Sequence, residues 1–120
     1  MRMSAKETDL VRACLDWLAL HRVMAWRMNN TGIFDPVKRV FRSFRGMKGV
    51  SDILGILPVS VETGARRERI GTFLAVETKR PGEKLREEQE AFLAAVSERG
   101  GVGLCVHSLD ELDAGVRRYL

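Results

Sequence analysis

The stretch from Phe73 to Lys79 reads Phe-Leu-Ala-Val-Glu-Thr-Lys and ends with an acid and a base that are two residues apart. Its apolar and β-branched residues predict a strand. Because side chains alternate between the faces of a strand, Glu77 and Lys79 should emerge on the same face, about 7 Å apart. Charged groups on an otherwise buried strand are costly unless they are paired or bound. The stretch therefore indicates either a chemical site or an ion pair at a fraying strand end.

A second acid interrupts another predicted strand. Residues Gly49 to Val59 are largely apolar, and Asp52 lies among them although aspartate disfavours strands. The segment from Glu62 to Ile70 is polar and rich in arginine, which predicts the loop of a hairpin between the two strands. In such a hairpin the start of the first strand lies opposite the end of the second. We therefore expect Asp52 and Glu77 to meet.

Two carboxylates beside a lysine have the chemistry of a divalent-metal site that acts on phosphate. Mg²⁺ and Mn²⁺ take oxygen ligands and leave room for water and a phosphate oxygen. An ion held by Asp52 and Glu77 would activate water and neutralise the charge that develops on a phosphate. Lys79 would hold the attacking water or stabilise the transition state. The predicted cofactor is therefore Mg²⁺ or Mn²⁺.

Two predicted helices carry a polar residue on their apolar side. Residues 5–20 have the spacing of an amphipathic helix, and Glu7 projects from its apolar stripe. Glu7 also completes a capping box with Ser4, so it is either a capping group or a carboxylate delivered to the site. In a second helix, after the turn Arg80-Pro81-Gly82, Gln89 lies in the centre of the stripe. A buried glutamine needs partners, so Gln89 either caps backbone groups or reaches the acids.

The remaining predicted elements are short. Val23 to Asn29 has the composition of a strand, Val102 to Val106 that of a buried strand, and Ser108 begins a last helix. The order is thus helix, three strands, helix, strand, helix. It predicts an α/β fold of one domain over residues 1–120, in which helices flank a four-stranded mixed sheet. We expect a parallel crossover between the last two strands.

The chain is basic, with 20 Lys and Arg against 16 Asp and Glu, a net charge of +4 and a pI near 9.5. This balance favours a polyanionic partner. The most basic segment runs from Phe34 to Lys48 as a loop or hairpin, and it is either a solvated charged segment or an element that contacts phosphates. With Arg27, the predicted phosphate-contacting residues are Lys38, Arg39, Arg42, Arg45 and Lys48.

Other features exclude whole classes of protein. No apolar run approaches the roughly 18 residues of a membrane span, and charged residues interrupt the N-terminus where a signal peptide would be apolar. We therefore expect a cytosolic protein without a membrane partner. Cys14 lies on the first apolar stripe and Cys105 in an apolar run, so both are expected to be small buried hydrophobes without a disulfide or zinc.

Taken in this order, these residues resemble the PD-(D/E)xK nuclease superfamily and are most similar to its stand-alone VRR-Nuc domains from phages and bacteria. The resemblance spans nearly the whole chain and is carried by Glu7, Trp26-Arg27, Asn30-Thr31-Gly32, Gly49-Val50-Ser51-Asp52, Val76-Glu77-Thr78-Lys79, Gln89 and Gly100-Gly101. It implies a restriction-endonuclease-like αβββαβ(α) core and a divalent-metal-dependent DNA endonuclease. Ser51 stands where the superfamily has a proline, which affects backbone shape and removes no ligand.

The resemblance also implies roles and a substrate. Asp52, Glu77 and the backbone carbonyl of Thr78 would be metal ligands. The other residues of the site would be Lys79, which positions the water, and the auxiliaries Gln89 and Glu7, the latter acting on the metal directly or through water.

The resemblance to stand-alone members of the family implies a homodimer that cuts branched DNA, such as four-way (Holliday) junctions, in the cytosol of a bacterial host. A dimer would supply the two acid clusters that symmetric cutting needs. Candidate interface elements are Phe34, Phe41, Phe44 and the last helix. The alternatives are a metal-dependent nuclease without junction preference, which cuts single strands, flaps or duplex, and a non-catalytic nucleic-acid-binding module.

Overall fold

Apolar residues recur at helical spacing in three segments of the chain and alternate along its strands, and the elements of the structure follow these patterns. The computed structural model describes the backbone of residues 5–28, 33–35, 37–42 and 47–120, and the side chains of residues 8–28, 37–39 and 47–120. The elements are α1 (Ala5–Leu20), β1 (Met24–Arg27), β2 (Ile33–Asp35), β3 (Val40–Arg42), β4 (Ile53–Thr63), β5 (Arg66–Thr78), α2 (Glu87–Glu98), β6 (Val102–Val106), α3 (Leu109–Val116) and a final 3-10 turn (Arg117–Tyr119).

Four strands form one mixed sheet in the order β1-β4-β5-β6. β4 is antiparallel to both β1 and β5. β6 is parallel to β5, because α2 carries the chain back so that β6 begins beside Leu74 and runs in the direction of β5. The predicted restriction-endonuclease-like core, with a four-stranded mixed sheet and flanking helices, is confirmed.

The basic segment contains a small hairpin. β2 and β3 form a separate two-stranded sheet in which Phe34 pairs with Phe41. The hairpin alternative of the prediction is therefore right for residues 33–42. Phe44 and Arg45, two of the residues singled out there, lie outside the described part of the chain.

Alternation along β4 and β5 divides the core into two layers. On the face that we call the α1 face, Ile53, Leu74 and Val76 pack against α1 and α3. On the opposite face, which we call the α2 face, Ala75 packs against α2. Cys14 is fully buried in the α1 layer, as expected, whereas Cys105 is only half-buried, because it lies on the α2 face near the end of β6. None of the described helices is long and apolar enough to cross a membrane.

β4 and β5 continue well beyond their neighbours. β1 pairs with β4 only as far as Ile56, and β6 pairs with β5 only from Leu74 onward. Residues 57–63 and 66–72 therefore form a two-stranded extension that we call the arm. The prediction of a loop from Glu62 to Ile70 was wrong in extent, because the turn is only Gly64-Ala65 and strands occupy the rest. Arginines are tolerated in these strands because both faces of the arm are exposed to solvent there. Gly64 has a φ of 64°, which glycine adopts readily in a two-residue hairpin turn.

Candidate active site

Asp52 and Glu77 meet at the end of the sheet where β4 begins and β5 ends. Asp52 immediately precedes β4, and Glu77 is the last residue but one of β5. Since Ile53 pairs with Val76, the next position of the antiparallel register brings Asp52 opposite Glu77. Both acids belong to the α2 face, because each is adjacent to a member of the Ile53–Val76 pair, which faces α1. The predicted juxtaposition of the two acids is present in the structure.

Asp52 is held in place by three hydrogen bonds from two residues. The N–H and the hydroxyl of Thr78 both donate to its Oδ2, at 2.9 and 2.8 Å. The N–H of Met28, just beyond β1, donates to its backbone carbonyl at 2.7 Å. The carboxylate therefore has a defined direction before any ligand arrives.

Glu77 is an acid in an unfavourable place. Its side chain is 3% exposed, and its Oε2 is buried without a hydrogen-bond partner among the described residues. Burial, and after it the Asp52 carboxylate, raises its pKa from 4.5 to about 8, although the nearby Lys79 ammonium opposes this rise. A buried carboxylate oxygen with no partner is costly, and a cation beside it would relieve that cost.

Gln89 connects this acid to the start of α2. Its Oε1 accepts the backbone N–H of Arg86 at 2.9 Å, and its Nε2 donates to Oε1 of Glu77 at 3.0 Å. Both interpretations of the buried amide are therefore right, because each end of the same side chain serves one of them. Gln89 fills the N3 position of the helix, from which a side chain can turn back to the capping residue.

Gly49 allows the segment that carries Asp52 to lie against α2. Its φ is 79°, and a β-carbon built there would lie 2.1 Å from the carbonyl oxygen of Glu88. Only glycine fits, because any side chain would overlap the first turn of the helix. This contact of Gly49 was not predicted, because it joins residues far apart in the chain. The signal in the sequence that could have indicated it is a glycine three residues before the candidate ligand Asp52.

Lys79 follows β5 directly and is partly buried. Its N–H donates to the carbonyl of Val106 at 2.9 Å, so it lies where the parallel strands β5 and β6 end. Glu7 lies in the N-terminal part of α1, and its side chain is outside the described ones. Leu10, one turn further along α1, lines a cleft with Pro81, which places that part of the helix toward the same end of the sheet.

The predicted phosphate-contacting residues divide into three groups. Arg27, at the end of β1, pairs with Ile53, the neighbour of Asp52, and Lys48 is exposed just before Gly49. Lys38 and Arg39 are exposed in the turn between β2 and β3. The remaining two lie where no side chain is described: Arg42 in β3, and Arg45 beyond it.

Comparison with known proteins decides the family. The family model of the VRR-NUC domain matches residues 5–108. The chain belongs to the VRR-NUC domain family. The match includes both acids, Lys79 and Gln89, and it makes this protein a nuclease-type domain. Neither the curated proteins nor the solved structures contain a significant match to it.

The donor set of this VRR-NUC domain suits a hard divalent ion bound largely by water. Within the described ranges, no three or more His, Cys, Asp or Glu side chains form a group that could hold a metal ion by themselves. What the site offers is the Asp52 carboxylate, the unpartnered Oε2 of Glu77 and a nearby backbone carbonyl at Thr78. Mg²⁺ is commonly held by one or two carboxylates and completes its octahedron with water and substrate phosphate. The residues present therefore fit a hard divalent cation of this kind.

Proposed function

We propose that this VRR-NUC domain is a divalent-metal-dependent endodeoxyribonuclease that hydrolyses phosphodiester bonds. The proposal rests on the burial of Glu77 Oε2 without a hydrogen-bond partner. Such a carboxylate oxygen beside a second carboxylate destabilises the fold unless a cation binds there. Asp52, Glu77 and the carbonyl of Thr78 would hold Mg²⁺ or Mn²⁺. When bound, such an ion lowers the pKa of water and offsets the charge that develops on the phosphate.

The residues around the ligands keep the geometry of the reaction. Lys79 presents an ammonium group on the α2 face, two residues from Glu77, where it would hold the attacking water or the phosphoryl oxygens. Gln89 fixes Glu77, and Thr78 fixes Asp52, so neither acid has to reorganise during the reaction. Glu7 is proposed as an auxiliary carboxylate that acts through water.

We further propose that the substrate is branched DNA, such as a four-way junction, and that the protein acts as a homodimer. The described part of one chain contains a single pair of facing acids, whereas symmetric resolution of a junction requires two. Phosphates of the DNA arms would be contacted without reading of the bases by Arg27, Lys38, Arg39, Arg42, Arg45 and Lys48. The likeness to stand-alone VRR-Nuc domains supports both parts of this proposal.

The test compares cleavage of a four-way junction with cleavage of linear duplex of the same sequence, in Mg²⁺, in Mn²⁺ and in chelator. We expect paired cuts in the junction, and none in chelator. Asp52→Asn and Glu77→Gln should each lower the rate on the order of 10³-fold, since several kcal/mol of charge stabilisation are lost. Mn²⁺ should raise the melting temperature of the wild type and leave that of both variants unchanged.

Each other outcome has a distinct meaning. Equal cleavage of junction and duplex would replace the junction preference with a general nuclease. Binding without cleavage in any metal would favour the non-catalytic module. Near wild-type rates for either variant would show that the acids are not the ligands.

A further inference from the structure

Three arginines lie close together at the tip of the arm, far along β5 from the acids. Arg66, Arg67 and Arg69 follow the turn at Gly64-Ala65, and all three are exposed. No hydrogen bond or ion pair joins their guanidinium groups to another described residue. Arg67 lies opposite Glu62 without forming an ion pair with it. These guanidinium groups make no contact that stabilises the fold, which leaves them free to bind a ligand.

Two of these arginines lie on the side of the β4–β5 ladder that also carries the acids. Arg67 and Arg69 are separated from Glu77 by an even number of residues in β5, so all three project on the α2 face. Closer to the sheet, the other face of the arm packs on the molecule, because Val59 and Tyr119 of the final turn both contact the α1 layer. The α2 face of the arm is therefore the open one.

The neighbours of Arg69 on this face are small. Ser60 lies opposite it, and Gly71, the next residue of β5 on the same face, pairs with Pro58. A glycine in a strand often marks a place where another backbone approaches closely. Pro58 has no N–H to offer to a further strand, which disfavours strand addition at that edge of the arm. Positive charge beside small side chains therefore suits a phosphate backbone better than a protein strand.

Two further basic residues lie between the arm and the acids. Arg99, just after α2, lines an open cleft with Phe73, and none of the described residues that line this cleft is acidic. Lys48 is exposed between Met47, which lines the same cleft, and Gly49, which contacts the first turn of α2. Basic groups are thus present along the flank of α2 as well as in the arm beyond it.

We propose that the arm is a distant DNA contact, at which Arg67 and Arg69 bind phosphates of the duplex that extends from the cut. Along β5, Arg69 lies about 26 Å and Arg67 about 33 Å from Glu77. A duplex rises about 3.4 Å per base pair, so these distances correspond to about eight to ten base pairs. The protein thus holds about one helical turn of DNA beyond the phosphate that it cuts. The inference rests on the proposed function for the identity of the ligand.

The salt dependence of duplex binding, measured in chelator so that no strand is cut, counts the phosphate contacts of the arm. R67A/R69A should flatten the slope of log K against log salt by roughly two, since each contact contributes about 0.9. The matched control R12A/R118A removes the same charge from exposed arginines of α1 and the final turn, and it should keep nearly the wild-type slope. Melting temperatures check that both variants are folded. An unchanged slope in R67A/R69A, or an equal loss in the control, would overturn the proposal.

An iron–EDTA group attached to Arg69→Cys measures where the arm lies on the DNA. The radicals that it releases should break the bound duplex about eight base pairs from the phosphate that the wild type cleaves. The same group on Arg12→Cys is the control and should give no localised breaks. Wild-type protein treated in the same way gives the background from Cys14 and Cys105. Breaks centred on the cleaved phosphate, or spread evenly along the duplex, would contradict the proposal.

The two proposals can fail separately, because the salt slope is measured without metal and without cleavage. A protein whose slope depends on Arg67 and Arg69 but which cuts no DNA in Mg²⁺ or Mn²⁺ would remove the nuclease proposal and keep the arm as a DNA contact. A protein that cuts DNA and has the same slope with and without these two arginines would keep the nuclease proposal and remove the arm.

Discussion

Gln89 bridges the start of α2 and the buried acid of the site, with its Oε1 on the Arg86 N–H at 2.9 Å and its Nε2 on Glu77 at 3.0 Å. Gln89→Ala removes both bonds and leaves the Glu77 carboxylate without its donor. We expect a loss of about 1–3 kcal/mol in the free energy of unfolding and a lower cleavage rate at temperatures where the variant is fully folded. Urea titration and single-turnover cleavage measure the two effects.

Gln89→Glu separates the two roles of the side chain. It keeps an oxygen that accepts the Arg86 N–H, but it places a carboxylate where Glu77 now receives a hydrogen bond. The start of the helix should therefore survive, whereas cleavage should fall as in Gln89→Ala. Wild-type activity in this variant would mean that the bond to Glu77 contributes nothing to the reaction.

The pH dependence of stability should report the raised pKa of Glu77. Burial, followed by the Asp52 carboxylate, raises its pKa from 4.5 to about 8. Between these values the folded protein keeps a proton that the unfolded chain releases, so stability is greatest at low pH and falls as the pH rises. In chelator, the free energy of unfolding should fall by up to about 1.4 kcal/mol per pH unit in this window.

The control for this slope is Glu77→Gln, measured by urea titration at the same pH values. The hydrogen bond to Glu111 raises the pKa of His107, which acts in the same direction, but it is common to both proteins and cancels in their difference. The wild type should lose stability relative to the variant as the pH rises, and Mn²⁺ should reduce that loss by binding the charged acid. Parallel curves for the two proteins would contradict the raised pKa.

Two glycines with positive φ differ only in their surroundings. Gly49 has a φ of 79° and the Glu88 carbonyl oxygen 2.1 Å from an added β-carbon, whereas Gly64 has a φ of 64° and nothing within 4 Å. Gly64→Ala should cost about 1 kcal/mol, from backbone conformation alone. Gly49→Ala should cost several times more and lower cleavage, because it pushes the Asp52 segment away from α2. Equal melting temperatures would show that the contact is unimportant.

Two buried hydroxyls near the acids provide another matched pair. The Oγ of Ser51 is buried without a hydrogen-bond partner in the described part of the chain, whereas the hydroxyl of Thr78 donates to Asp52 at 2.8 Å. Ser51→Ala should leave stability unchanged or raise it by about 1 kcal/mol, since an unsatisfied polar atom is removed. Thr78→Val should destabilise the fold by about 1 kcal/mol and slow cleavage. A larger loss of activity in Ser51→Ala than in Thr78→Val would reverse this assignment.

The parts of the site that follow from strand geometry could be predicted from the sequence. Asp52 and Glu77 meet because a hairpin places the start of one strand opposite the end of the next, and this holds for any length of hairpin. For Gln89 the sequence left two possible partners, the backbone groups at the start of the helix or the acids. The choice between them depended on the distance between α2 and β5, which is a tertiary quantity.

Other features lay beyond a single-sequence argument. Met24, Ile56 and Phe73 look like core residues in their strands, and only the position of α2 leaves them exposed. The arginines of the arm suggested a loop because charge and strand propensity conflict there, and pairing with β4 decided the outcome. Glu7 remains a prediction, since its side chain lies outside the described ones.

The eleven residue pairs that join β4 to β5 run from the tip at Thr63 and Arg66 to Ile53 and Val76, next to the acids. Because the side-chain period of a strand is two, a slip of one residue anywhere along this ladder would turn Asp52 away from Glu77. The register of the hairpin thus sets the alignment of two groups about 35 Å from its turn. Deletion of Ser60 alone would misalign them unless a bulge absorbed the change, whereas deletion of Ser60 together with Arg69, its cross-strand partner, would shorten the protein and keep its acids face to face.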